Sequence, residues 1–249
     1  MKAYLTTEIS GNAAMIRLNF PHLNAVNQGL IEKLNSCLCD LEKNPNIKVV
    51  IITGTDKAFS VGLDLKEALK MDSQQAIADD FISKEWERLS ECRIPVIAAV
   101  SGYTLGAGLE FALMCDVIIS SDTAVFGQPE IKFGMIPGLG ATQRLTRLTG
   151  RQIASVMCMT GEFISSAQAL EYGIAAKVVP GSELISGAFD IAEKISANPK
   201  SALIMAKQAI KATQETTLAQ GMALERQMFY SLLSSSDKNR LMKQFLSKK

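Results

Sequence analysis

Two glutamates, Glu110 and Glu130, stand twenty positions apart in one of the least polar stretches of the chain, LGAGLEFALMCDVIISSDTAVFGQPE. A carboxylate that leaves water unpaired costs free energy, so each needs a reason to be there. Glu110 follows the glycine-rich turn LGAG and opens the apolar run FALMC. If a helix begins near Gly106, the N–H groups of its first turn lack intrahelical partners and lie at the positive end of the helix dipole. Ala107 and Glu110, three apart, then share a face. One helix end would present an N–H donor and a carboxylate to the same volume. The small residues Gly106, Ala107 and Gly108 would let a ligand approach the backbone. Taken alone, the stretch reads more readily as a tight strand-to-helix turn with a solvated glutamate.

A second loop, KAFSVGLDLKEAL, offers the matching half. Asp64 is a plausible N-cap, and the N–H near Leu63 would lie at the carboxyl end of a strand, where open α/β sheets bind ligands. Two such donors converging on one oxygen form an oxyanion hole, and losing one typically costs about 3 kcal/mol. An ordinary strand-to-helix loop fits the same residues. In FGQPEIKFGMIPGLG, Pro129 restricts Gln128 and the glycines permit sharp turns around Glu130. A carboxyl held there in apolar surroundings would have its pKa raised, as a proton donor near neutrality requires. The alternative is a first-turn helix residue interacting with the dipole.

Several other chemistries are poorly supplied. GLGATQ lacks the third glycine and the preceding strand of a dinucleotide fingerprint, and neither GxxxxGK[ST] nor GxSxG occurs. The five cysteines (Cys37, Cys39, Cys92, Cys115, Cys158) form no CxxC pair and read as small buried hydrophobes in a reducing compartment. His22, the single histidine, sits beside Pro21 in a loop. A zinc site or a histidine triad is therefore not expected. With 26 Lys+Arg against 25 Asp+Glu, the balance points to neither nucleic acid nor a membrane as partner. No leader pattern precedes AYLTTEI and no apolar run reaches the ~18 residues of a membrane span. The expectation is a soluble cytoplasmic protein.

The elements that must position these residues follow from periodicity. AYLTTEI and AMIRLNF read as a hairpin turning at Gly11-Asn12. In NQGLIEKLNSCLCDLEKN, Leu30, Leu34, Leu38 and Leu41 keep helical spacing. VVIITG and IPVIAAVSG read as strands buried on both faces, and VIIS as a further strand. A polar loop, TDKAFSVGLD, leads to a helical region that includes Trp86 and ends near Glu91. GLGATQRLTRLTG, RQIASVMCMTG and SSAQALEYG read as helices ended by glycine, and AKVVP as a short strand. Strand–helix alternation argues a mostly parallel α/β core. Beyond about residue 182 the chain is helical, with Met and Leu faces suited to packing on the core or on a neighbouring subunit.

The ordered set KAFSVGLDL, IPVIAAVSGYTLGAGLEFALMCD, FGQPEIKFGMIPGLGATQRL and the helical tail resembles the crotonase (enoyl-CoA hydratase/isomerase) superfamily, from Asn24–Val26 to the C-terminal FLSKK. The resemblance implies an α/β spiral of β-β-α units over residues 1–195 and a helical C-terminal region over 196–249. It implies a coenzyme A thioester whose carbonyl oxygen lies between the N–H groups of Leu63 and Ala107. Glu110 would activate water for attack at the β carbon, and Glu130 would protonate the α carbon. Ala58, Ser60, Gly62, Asp64, Leu65, Lys66, Gly106 and Gly138 fall where the family binds substrate. Lys57 and Lys66 match positions near the nucleotide end of coenzyme A, although each also reads as a plain surface lysine.

Both glutamates favour syn hydration of a trans-2-enoyl-CoA to a 3-hydroxyacyl-CoA, a lyase reaction of the kind used in β-oxidation. An enoyl-CoA delta-isomerase, or a non-catalytic acyl-CoA- or RNA-binding module on the same fold, is the alternative. No metal is implied, and no cofactor beyond the coenzyme A of the substrate. The implied assembly is a homotrimer or a hexamer. Leu63 replaces a frequent alanine, Ala107 a frequent glycine, and Arg240-Leu241 a frequent acidic-glycine pair.

Overall fold

The computed structural model describes residues 4–247. Among these described residues, ten strands form two sheets. The larger runs in the order β1 (Leu5–Ser10), β2 (Ala13–Leu18), β3 (Val49–Thr53), β5 (Val96–Val100), β7 (Val117–Ser121), β10 (Lys177–Val179). Its first pair is the expected hairpin, and every later pairing is parallel. The smaller sheet runs β4 (Ala58–Ser60), β6 (Tyr103–Leu105), β8 (Val125–Gly127), β9 (Phe163–Ser165).

Continuous apolar strands are required because both faces of the large sheet are covered. Ala14, Ile16, Val50, Ile52, Val96, Ala98 and Val100 face one core with the inner stripe of helix α1 (Gln28–Lys43): Leu30, Ile31, Leu34, Leu38 and Leu41. The alternate residues Met15, Val49, Ile51, Ile97, Ala99 and Ile119 face a second core under a later helix, as a strand period of two demands. Each fully buried Leu or Ile contributes roughly 1.5–3 kcal/mol.

The chain winds. β3, β5 and β7 each leave the large sheet, turn and run on as β4, β6 and β8 of the small one. A helical segment follows each pair: the short α2 (Leu65–Ala68) and α3 (Ser73–Ala78), then α4 (Ala107–Met114), then a 3₁₀ turn (Pro129–Phe133) with α5 (Ala141–Thr149) and α6 (Arg151–Thr160). This is the spiral of β-β-α units. α7 (Ser166–Glu171) precedes β10. α8 (Leu184–Ser196) covers the second core with Leu184, Ala188 and Ala192. α9 (Lys200–Ala212) is tied down by Lys207, whose Nζ bonds Ile94 O at 3.0 Å and Asp116 Oδ2 at 2.7 Å. By contrast, α10 (Leu218–Leu233) and α11 (Ser236–Leu246) bury no residue, and Phe229, Tyr230, Met242, Phe245 and Leu246 stand exposed. Among the described residues no helix is long and apolar enough to cross a membrane.

Three sequence expectations need correction. AFS, read as part of a polar loop, is the wholly buried strand β4. Trp86 lies not on a helix but in successive turns from Ser83 to Cys92, closed by bonds such as Trp86 N–H to Ser83 O (3.0 Å). Tertiary anchors set that path: Trp86, Leu89 and Cys92 are buried, Arg88 pairs with Glu42, and Arg93 N–H donates to Glu42 Oε1 at 2.6 Å. Of the five cysteines only Cys92 is fully buried; the other four are partly exposed, and all are free.

Candidate active site

The two glycine loops meet. Gly62 (φ +95°) lies so close to the second loop that a Cβ there would stand 2.9 Å from Leu105 O and 3.3 Å from Ala107 N. α4 does begin at Ala107, with Gly106 as N-cap. Among the described residues, neither the Leu63 nor the Ala107 N–H has a hydrogen-bond partner. Leu63 is left free by the way its loop is pinned: Val26 N–H donates to Gly62 O (2.7 Å) and Asp64 N–H to Val26 O (2.8 Å), so the N–H between them points elsewhere. Two unpaired donors on touching loops can serve one acceptor.

The loop rests on a residue that composition and periodicity do not mark. His22, Leu23 and Asn24 all adopt left-handed backbone (φ 56°, 61° and 58°), a costly conformation that surrounding structure must hold. Asn24 supplies that hold. Its Oδ1 accepts from Phe20 N–H (2.7 Å), its Nδ2 donates to Phe59 O (3.0 Å), and its carbonyl accepts from Ser60 Oγ (2.7 Å). Ser60 Oγ in turn accepts from Gly62 N–H at 3.2 Å. Ser60 and Ala58 are thus buried supports of the loop. Asp64 is the N-cap of α2, accepting from Lys66 N–H at 2.9 Å, while Leu65 and Lys66 are exposed beside it.

Glu110 is 1% exposed. α4 aims it at the turn before α5, where its Oε1 accepts two N–H bonds, from Leu139 and Ala141, both at 2.8 Å. Burial raises its pKa, against the pull of the Ala141 and Leu139 N–H groups and the Arg144 charge. Glu130 lies in the first turn of the 3₁₀ segment and is partly buried. Its Oε1 would be 2.5 Å from a Cβ at Gly106 (φ +53°), so only glycine lets this carboxyl reach the start of α4. Burial raises its pKa to about 7; its own backbone N–H opposes this, and the Glu110 charge adds to it. The amide of the fully buried Gln128 lies beside this carboxyl: its Nε2 donates to Gly106 O at 3.4 Å, and a half-turn of the amide would instead let the nitrogen donate to Oε2 at 3.0 Å and Oε1 at 3.2 Å.

Two further groups border the pair. The Cys158 thiol on α6 is pushed up to about 11 by burial and by the charges of Glu130 and Glu110. The Ile82 side chain lies against Gly138, 2.9 Å from where a Cβ would stand. Gly62, Leu63, Gly106, Ala107, Glu110, Glu130 and Gly138 therefore share one region. Asn24, Gln128, Arg144, Cys158 and Ile82 join them without a local sequence signal beyond Gln128 preceding Pro129 and Asn24 preceding Ala25-Val26. Among the described residues no three His, Cys, Asp or Glu could hold a metal ion. Groups so arranged can polarise a carbonyl oxygen while one carboxylate takes a proton and one carboxyl gives a proton.

The family model described as enoyl-CoA hydratase/isomerase matches residues 8–249. An enoyl-CoA hydratase, mitochondrial, from Pongo abelii is 41% identical over 99% of this chain and 86% of its own. A 2,3-dehydroadipyl-CoA hydratase from Escherichia coli is 39% identical over 94% of this chain and 92% of its own. The crystal structure of an enoyl-CoA hydratase from Bacillus anthracis superposes with a TM-score of 0.92 at 34% identity, covering 99% of this chain and 97% of that one.

Proposed function

The chain belongs to the enoyl-CoA hydratase/isomerase family, and within it we propose that it adds water syn across the double bond of a trans-2-enoyl-CoA to give a 3-hydroxyacyl-CoA. The thioester oxygen accepts from the Leu63 and Ala107 N–H groups. Glu110, ionised, takes a proton from water as its oxygen bonds to the β carbon. The π electrons move toward the thioester, and the resulting enolate charge rests on the two N–H donors. Glu130, protonated, delivers its proton to the α carbon. The proton on Glu110 then returns to Glu130 through solvent, which resets the site. No cofactor is needed beyond the coenzyme A that the substrate carries.

The observation that carries this reading is the contrast in the surroundings of the two carboxyls. Glu110 accepts two N–H bonds that favour its anion, whereas Glu130 is pushed up to about 7 beside it. Titratable groups whose surroundings separate them are suited to serve as base and acid. Gly62 and Gly138 are proposed to line the substrate, with Leu65 and Lys66 toward the coenzyme A end; Ala58, Ser60 and Asp64 act by holding the loop.

The test is a panel of enoyl-CoAs of different length and branching, ranked by kcat/KM from the loss of enoyl thioester absorbance. Turnover of crotonyl-CoA or a longer homologue supports hydration; silence across the panel contradicts it. A delta-isomerase would need only Glu130, so assay of a 3-enoyl-CoA beside Glu110→Ala separates the two. Binding of acyl-CoA without turnover, or salt-dependent RNA binding, would favour a non-catalytic module. We also propose a cytoplasmic location, as for bacterial relatives, and a homotrimer or hexamer, because α10 and α11 expose apolar side chains that a neighbouring subunit would cover. Light scattering that finds a monomer would contradict this.

A further inference from the structure

Arg144, one turn into α5, is partly buried, and among the described residues it is in direct ion-pair contact with no carboxylate. A guanidinium removed from water without a partner costs free energy unless a nearby charge offsets it. Its side chain folds back across Gly140, where no Cβ stands in the way, and its Nη1 donates to Leu139 O at 3.4 Å. Both backbone groups of Leu139 are thereby engaged by charged side chains: the N–H by Glu110 at 2.8 Å and the carbonyl by Arg144. The α5 backbone closes the same turn, with Arg144 N–H on Gly140 O at 2.7 Å.

We propose that Arg144 is a positioning residue for Glu110: it fixes the turn over residues 138–141 so that two N–H groups meet the carboxylate, and it stands as the cation that favours the ionised base. This rests on the hydratase reading. The charged and titratable groups that face Glu110 are Arg144 from α5, Glu130 from the 3₁₀ turn and Cys158 from α6. Arg144 is the positive one of these, and its attraction lowers the pKa of Glu110. Arg144 thus contributes to the separation that lets one carboxyl take a proton while the other gives one.

The experiment is the pH profile of kcat/KM for crotonyl-CoA in wild type, Arg144→Gln and Arg144→Lys, with kcat, KM and melting temperature measured for each. Loss of the cation raises the pKa of Glu110, so Arg144→Gln should move the low-pH limb upward and lower kcat with little change in KM. Arg144→Lys should restore the limb, because it keeps the charge, but not the full kcat, because it loses the guanidinium's reach to Leu139 O. A wild-type limb and rate in Arg144→Gln, or the same limb shift in both variants, overturns the proposal. If Arg144→Gln does not fold, Arg144→Lys decides: a wild-type limb with lowered kcat supports the role, and a shifted limb or unchanged kcat overturns it. If the wild type hydrates no enoyl-CoA, the hydratase reading fails separately. The Glu110 titration, followed by carboxyl ¹³C NMR in wild type and Arg144→Gln, then tests Arg144 on its own.

Discussion

The two glutamates occupy neighbouring space but differently built surroundings. Glu110 stands on a helix, almost wholly buried, and meets two backbone N–H groups from a turn. Glu130 stands on a 3₁₀ turn, is partly open, and meets a side-chain amide from Gln128 and the bare α carbon of Gly106. Burial raises both carboxyls, Glu130 to about 7, and different groups act on each. Burial alone does not set proton affinity. Donors aimed at the anion offset desolvation at Glu110, while at Glu130 the neighbouring negative charge adds to it.

That contrast can be broken in graded ways. The largest expected effect is from Glu110→Gln or Glu130→Gln, each lowering kcat by about 10³-fold, within the range of general acid–base contributions; steady-state hydration rates check it. Next, Gly106→Ala puts a Cβ against Glu130 Oε1 and strains a φ of +53°. Activity should fall by about 10²-fold while the fold and the Glu110 anchor persist, as circular dichroism and the low-pH limb would report.

A smaller effect concerns pH. Glu130 must hold its proton, so kcat/KM should decline as pH rises through about 7. Gln128→Leu removes an amide whose nitrogen, turned toward the carboxylate, would favour the Glu130 anion, and should move this high-pH limb further upward.

The remaining effect is on stability and not on rate. The folded-state pKa of Glu130, about 7, lies above its ordinary value of 4.5. Between these values the folded protein binds more protons than the unfolded chain, so stability falls as pH rises. Glu130→Gln lacks that decline. It should match wild type near pH 4 and exceed it at pH 8 by up to about 3 kcal/mol, discounted for partial exposure, as melting at the two values would reveal.

How far the sequence carries the same contrast depends on the element. The α1 stripe at Leu30, Leu34, Leu38 and Leu41 and the runs VVIIT and VIAAV carry their structure in their period, because each is long enough to repeat. The small sheet is built of three-residue strands such as Ala58–Ser60, too short for any period to register. The turns around Trp86 answer to the Glu42 contacts made from α1, about fifty positions away. At the site, glycines and glutamates announced themselves because both are out of place among apolar residues. Asn24, Gln128 and Arg144 did not, since a polar residue that works through backbone groups of other loops has no local pattern. Glu110 illustrates both halves: its position was legible, but the turn that holds it, about thirty residues on, was not.

The most direct test of the account is hydration of crotonyl-CoA by wild type, Glu110→Gln, Glu130→Gln and the double variant, measured together. Two groups that act as a unit in one reaction give non-additive losses. The account predicts turnover in the wild type, a large loss in each single variant, and a double variant within about tenfold of the worse single. Wild type without activity, or losses that multiply in the double variant, would contradict it.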